Sequence, residues 1–391
     1  MINLPSHVQF ILTTLENAGY EAYIVGGCVR DIIRGVPPKD WDITTSATPL
    51  ETKALFVHTI DTGLQHGTVT VLLDGFAYEV TTYRVDGKYT DNRRPDHVAF
   101  TTDITEDLSR RDFTMNAIAY NPKSGVCDPF GGQNDIDCRL IRCVGDSALR
   151  FGEDALRMLR AIRFSAVTGF DIDTSAIDAI KELSHTIKNV SPERIREELG
   201  KLITSAHPEK IVMLEETGLS TFIYTEGDYL TVERLKACSP KETMRLALFL
   251  INVKDCEKLL QEMRFDNKTA KETALYVRLL NDKFPTTRVE IKKILRYVPQ
   301  NLYENFLILK EICYEEATGE INNIRQEMRD ITAKGECFML KDLAVTGNDL
   351  IELGISPGAE VGTKLEELLN IVLRNPELNE KAKLIGLISS K

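Results

Sequence analysis

Asp40 and Asp42 flank a single residue, so on an extended chain their two carboxylates leave the same side while Trp41 and Ile43 turn the other way. Two hard oxygen ligands side by side suit a divalent cation such as Mg²⁺, whose remaining positions go to phosphate oxygens and water. Upstream, the apolar run Tyr23–Val25 enters Gly26-Gly27, and Val29-Arg30-Asp31 opens a helix. Backbone N–H groups at a glycine turn feeding a helix receive anionic oxygens. Arg30, in the first helical turn, opposes the helix dipole, which makes sense with an anionic ligand between them. A D-x-D or a Gly-Gly alone is a common turn. Together, on strand, turn, helix and strand, they predict Mg²⁺-assisted chemistry on a nucleoside triphosphate, with Asp40 and Asp42 as the catalytic and metal-binding pair. In such a transfer one ion activates the attacking hydroxyl and another neutralises the leaving pyrophosphate.

A second segment, EDALRMLRAIRF (153–164), reads as a helix with Asp154 and Arg157 three residues apart on one face. A carboxylate accepts from the exocyclic amino group shared by cytosine and adenine, and a guanidinium donates to the neighbouring ring acceptor. Guanine and uracil carry a carbonyl in place of that amino group and lose the match, at about 1–3 kcal/mol per good pair. Arg160 and Arg163 continue the series. At 100° per residue Arg163 falls half a turn from Asp154, so these two are assigned to the pocket wall or to phosphates. Taken alone, the same spacing describes an ordinary helix laced with ion pairs. In RRDFTMNA (110–117), Asp112 offers an acceptor for a ribose hydroxyl, and the bland alternative is a surface ion-pair loop.

The elements that must hold these residues differ between the two halves. Over residues 1–140, β-branched runs at Tyr23–Val25, Thr68–Leu73, Ala77–Thr82, His97–Thr101 and Ala117–Tyr120 alternate with helices. TVTVLLDGFAYEVTTY (68–83) reads as a hairpin across Asp74-Gly75. From about Ser147 the apolar spacing is helical to the end, punctuated at Pro192, Pro208, Pro240, Pro285 and Pro299. The predicted class is an α+β head with a mixed sheet, followed by an elongated all-α region.

At 391 residues the chain exceeds one core and predicts several domains. No apolar run reaches the roughly 18 residues of a membrane helix, and the N-terminal MINLPSHVQFILTTL reads as an amphipathic helix, not a signal peptide. Eight cysteines without a C-x-x-C pair predict reduced thiols and a cytoplasmic location. A net charge of −11 argues superficially against nucleic acid. Residues 251–300, however, hold eleven Lys/Arg against seven Asp/Glu, while 301–350 hold five against ten. The basic block fits an RNA platform and a solvated helix face equally well.

The motifs together resemble the class II tRNA nucleotidyltransferases of bacteria, the CCA-adding enzymes of the nucleotidyltransferase/poly(A) polymerase superfamily. GGCVRD (26–31) with DWD (40–42), RRDFTMNAIAY (110–120), DPFGG (128–132), EDALRMLRAIRF (153–164) and SPERIREEL (191–199) occur in the family's order within the first 200 residues. The resemblance implies addition of C, C and A to the 3′ end of tRNA from CTP and ATP, engaging the tRNA acceptor arm. It implies nucleotide contacts at Gly27, Arg30, Arg111, Asp154, Arg157, Arg160 and Arg163, with Glu79 a candidate third carboxylate. It divides the chain into a catalytic head (1–140), a helical neck (141–205), an RNA-binding helical body (206–300) and a tRNA-binding tail (301–391). RVDGKYTDNRRPDHVAF (84–100) stands where the family carries a flexible loop that switches specificity from C to A. Alternatives are an A-adding enzyme, a bacterial poly(A) polymerase with the same core, or an inactive RNA-binding homologue. Neutral TIDTGLQHGTVTV (59–71) and the intact aspartates argue against the last two.

Overall fold

A computed structural model describes residues 2–87, 97–224 and 232–389. The head carries strands β1 (Ala22–Val25), β2 (Ile43–Thr45), β3 (Thr59–Gly63), β4 (Thr68–Leu73), β5 (Phe76–Thr82), β6 (Arg84–Asp86), β7 (Val98–Phe100), β8 (Ala119–Asn121) and β9 (Gly125–Cys127). Seven of these form one sheet in the order β3-β4-β5-β2-β1-β8-β9. β2 lies at its centre, parallel to β5 and antiparallel to β1, so the residues entering β2 face the middle of the sheet's edge. The β4–β5 hairpin turns where expected, with Asp74 at φ 49° and Gly75 at φ 83°. Two consecutive left-handed residues are what a two-residue hairpin matched to strand twist requires.

Helix α1 (Ser6–Asn17) buries Val8, Ile11, Leu12 and Leu15, one stripe at helical spacing. Helix α2 (Gly27–Ile33) follows β1 directly, and α3 (Pro49–Leu55) opens on a Thr48–Glu51 capping box. After α4 (Ile104–Ser109) and α5 (Gly132–Asp137) come the neck helices α6 (Ser147–Glu153), α7 (Leu156–Thr168), α8 (Thr174–Leu183) and α9 (Pro192–Ile203). The prolines expected to punctuate the helical half do so by preceding or opening its helices. Pro192 is the first residue of α9, where its missing N–H costs nothing, and Pro299 caps the helix Gln300–Cys313.

Several sequence expectations need correction. Asp40-Trp41-Asp42 lies in the extended segment before β2 and not within it. Pro37 and Pro38 offer no N–H to a ladder, and strand pairing starts at Ile43, although the Asp42 carbonyl already accepts from Val25 N–H at 3.0 Å. EDALRMLRAIRF is not one helix. It breaks at Asp154, whose extended backbone (φ −137°, ψ 105°) separates α6 from α7, so Asp154 and Arg157 do not share a helix face. The strand expected from Ala117 starts at Ala119, because Thr114–Asn116 form a 3₁₀ turn. Among the described residues, the half expected to be helical from Ser147 contains one exception, Asp171–Ile172, which pairs in parallel with Leu140–Ile141. β6 and β7 pair as the stem of the expected loop, whose residues 88–96 lie outside the described residues.

One apolar cluster runs from Val8 in α1 to Ile331 in the helix Thr318–Ala333. A second, smaller cluster gathers Cys337, Leu343, Val345, Leu350, Leu368, Leu369, Val372, Leu373 and Leu384. Phe338 packs against both, and ion pairs cross the seam between them. Lys292, with no exposed side-chain surface, pairs with Glu336 at 2.7 Å; Arg288 also binds Glu336, and Arg296 binds Glu366. Part of the basic block at 251–300 therefore neutralises the acidic residues that follow it. All eight cysteines are free, six of them buried. Among the described residues no helix is long and apolar enough to cross a membrane.

Candidate active site

The turn between β1 and α2 is built on Gly26, at φ 76° and ψ −124°. A Cβ there would sit 3.1 Å from Arg111 Nη1, so glycine provides both the backbone angle and the space for the guanidinium. Arg111 is steadied from behind by Asp107, whose carboxylate, wholly buried, receives Arg111 Nη2 at 3.3 Å and Arg110 Nη2 at 2.6 Å. Burial would raise the Asp107 pKa, but the two guanidiniums outweigh it and hold the group below its usual range.

Across this turn lies a cleft of about 390 Å³, lined by Asp42, Glu79, Arg111, Asp154, Arg157, Arg160 and Arg194 among others. Asp40 and Asp42 are both exposed, while Trp41 packs against the core and Ile43 is buried, the alternation that the spacing predicts. The parallel register Ile43↔Val80, extended by one residue, sets Asp42 opposite Glu79. The protein around Asp42 raises its pKa, Arg111 opposes that rise, and the charges of Glu79 and Asp40 add to it. Among the described residues, no cation is ion-paired to Asp40, Asp42 or Glu79. No three His, Cys, Asp or Glu side chains there converge enough to hold an ion by themselves. The aspartates thus supply a two-carboxylate donor set, which fits Mg²⁺ because that ion is commonly held by one or two carboxylates, with substrate phosphates and water completing its shell.

The opposite wall comes from the neck, and there every cation has an anion. Arg157 donates to Glu153 Oε2 at 2.5 Å and to the Arg110 carbonyl at 3.0 Å. Arg160 binds Asp112 Oδ2 at 2.7 Å and lies 3.6 Å from Glu198. Arg163 binds Glu198 at 2.8 Å and stacks over the Phe164 ring, 3.5 Å from its centroid. Asp112 is fully committed. Its Oδ1 accepts from Phe113 N–H and Asn116, and burial would raise its pKa, yet Arg160 and Asn116 bring it down to about 2. The expectation that Asp112 accepts from a ribose hydroxyl is therefore corrected, since its acceptor positions are taken.

Of the sequence-predicted residues, Asp42, Arg111, Asp154, Arg157 and Arg160 meet around the cleft, while Gly27, Arg30, Asp40 and Arg163 are not among its lining residues. Arg30 is buried with its own partners: Asp31 at 2.9 Å, Asn116 Oδ1 at 2.9 Å and the Phe164 ring. The anion that sequence reasoning supplied from outside is provided here by the next residue. Sequence reasoning missed Arg194 and Glu198, both in SPERIREEL and one helical turn apart. A larger open groove of about 810 Å³ between Cys256–Glu262 and Asn267–Asn281 lies apart from all these motifs.

Comparison with known proteins places a poly(A) polymerase head-domain family over residues 22–142. An RNA and SrmB-binding site of polymerase A matches residues 169–230, and a tRNA nucleotidyltransferase second domain matches 239–388. The CCA-adding enzyme of Geobacillus thermodenitrificans is 38% identical, over 96% of this chain and 94% of its own length. That of Lactobacillus helveticus is 36% identical, over 93% and 91%. The Bacillus stearothermophilus CCA-adding enzyme solved in complex with CTP superposes with a TM-score of 0.85 at 31% identity, covering 100% of this chain and 99% of that one. A Thermotoga maritima CCA-adding enzyme complexed with tRNA shares the fold, with a TM-score of 0.66 at 21% identity over 98% and 94%.

Proposed function

This chain belongs to the bacterial CCA-adding enzymes, the class II tRNA nucleotidyltransferases, and we propose that it extends tRNA 3′ ends with C, C and A from CTP and ATP, releasing pyrophosphate. The observation that carries the reading is the single cleft with Asp42 on one wall and Asp154 and Arg157 on the other. A nucleotide whose base meets the neck wall has its triphosphate near the aspartates, so one pocket serves all three additions.

When bound, Mg²⁺ supplies activation of the terminal hydroxyl and neutralises the leaving pyrophosphate. Asp40 and Asp42 would hold it. Arg111, fixed between the Gly26 turn and Asp107, presents positive charge to the phosphates. Gly27 and Arg30 are assigned the nucleotide contacts of the family, Arg30 through a guanidinium already shared with Asp31 and Asn116. Arg157, held by Glu153 and by the Arg110 carbonyl, donates to the ring acceptor, and Asp154 accepts from the amino group. Arg160 and Arg163 hold the wall through Asp112 and Glu198. The head (1–140), neck (141–205), body (206–300) and tail (301–391) divide this labour, the last two carrying the tRNA. The reaction belongs to the cytoplasm, where its substrates are.

The test is direct. tRNA lacking its 3′ end is incubated with Mg²⁺ and CTP, ATP or both. Two additions with CTP and a third only when ATP is present support the reading. Addition of A alone, or of long A tracts, replaces it with an A-adding enzyme or a poly(A) polymerase.

A further inference from the structure

Asp154 is joined to a residue that the mechanism above does not use. Arg194, in the first turn of α9, forms a two-pronged ion pair with it: Nη1 to Oδ1 at 3.3 Å and Nη2 to Oδ2 at 2.8 Å. Both residues line the cleft. A third donor, the N–H of Leu156, reaches Oδ1 at 3.1 Å and ties the carboxylate to the start of α7. A carboxylate oxygen offers about two acceptor positions. Oδ1 therefore has both filled, and Oδ2 has one filled and one open. A cation in the first turn of a helix opposes the dipole, so α9 alone does not account for an arginine there, whereas the carboxylate facing it does.

We propose that Arg194 is a positioning residue for base selection: it clamps Asp154 so that Oδ2, and not Oδ1, presents its free acceptor position to the exocyclic amino group of cytosine or adenine. The inference rests on the reading of Asp154 as the base reader. With one N–H alone on Oδ1, the carboxylate turns about its broad terminal torsion and offers either oxygen. A fork fixes both oxygens in one plane; a point charge cannot, so lysine is not an equivalent residue. The clamp also explains how selection survives the helix break at Asp154. The fork from α9, added to the one N–H from the start of α7, sets the carboxylate plane.

The experiment measures kcat/KM for CTP, ATP, UTP and GTP on the matching tRNA ends for wild type, Asp154→Ala, Arg194→Ala, Arg194→Lys and the double alanine variant. Asp154→Ala should relax discrimination against UTP and GTP by roughly ten- to a hundredfold. Arg194→Ala should relax it by about tenfold, chiefly through higher KM for CTP and ATP, and lysine should restore little. The double variant should match Asp154→Ala, because Arg194 acts only through that carboxylate. Arg194→Gln is read in the same way should the alanine variant melt early. Wild-type selectivity in the Arg194 variants, with selectivity lost in Asp154→Ala, overturns the clamp and leaves the base reader standing. A lower KM in Arg194→Ala with selectivity kept overturns it too, making Arg194 a competitor for Asp154. Unchanged selectivity in Asp154→Ala removes the base-reading role itself, and the clamp with it.

Discussion

The two walls of the cleft handle charge in opposite ways. On the head side, Asp40, Asp42 and Glu79 gather like charges without a cation paired to them among the described residues, and the pKa of Asp42 rises, chiefly because the protein around it removes water and further because of its two acidic neighbours. On the neck side, Arg157, Arg160, Arg163 and Arg194 each hold a carboxylate. The head wall is left electrostatically incomplete and is completed by what binds. The neck wall is complete before anything binds and can therefore keep its shape. Chemistry that needs a cation and recognition that needs rigidity have been given separate walls.

The comparison is tested first where the largest effect is expected. Asp40→Ala and Asp42→Ala should each lower incorporation of both nucleotides on the order of 10⁴-fold, about 5 kcal/mol at the transition state, with the fold intact by circular dichroism. Near-normal turnover with Mg²⁺ in either variant would show that the head wall is not the metal site. On the neck side the effect moves from rate to stability. Glu198 is buried and holds Arg163, with Arg160 3.6 Å away and kept by Asp112, so Glu198→Ala strands the Arg163 guanidinium and should cost about 3 kcal/mol, read as a lower urea midpoint. An unshifted midpoint breaks the picture of a self-completed wall.

Acid sharpens the contrast further. Asp112 has a folded pKa of about 2 against an ordinary 3.8, so its contribution is fully present above pH 4 and is lost as pH falls toward 2. On the order of 2 kcal/mol should disappear across that window, and Asp112→Asn should flatten the slope. The smallest effect has the reverse sign. Asp42 is raised, so ionising it opposes folding at neutral pH, and Asp42→Asn should melt slightly above wild type in chelator while remaining inactive. A lower melting temperature would mean that the ionised Asp42 carboxylate carries no cost of desolvation and like charge in the head wall.

How much was legible depended on whether the cause was local. Asp74-Gly75 announces its turn because two adjacent residues must take positive φ, and Trp41 between two aspartates announces which side faces solvent. The break at Asp154 was written locally as well, in Gly152 and in an aspartate able to cap Leu156, but the regular Asp–Arg spacing outweighed it. The Arg194–Asp154 pair spans 40 residues and the Arg160–Asp112 pair 48, and no periodicity encodes such distances. Strand β3 escaped notice because Ile60 is its one apolar residue, and β9 because it is three residues long and opens on a glycine.

Lys292 sets a rule for anyone recombining this protein with its relatives. Its ammonium lies beneath the C-terminal module, paired with Glu336 and donating to the Leu373 carbonyl at 3.4 Å. A chimera joined near residue 335 that imports a foreign module without a carboxylate in place of Glu336 would seal an uncompensated charge into the junction. The graft boundary that preserves the partnership lies upstream of Arg288, so that the helix Arg288–Tyr297 and everything after it travel as one cassette.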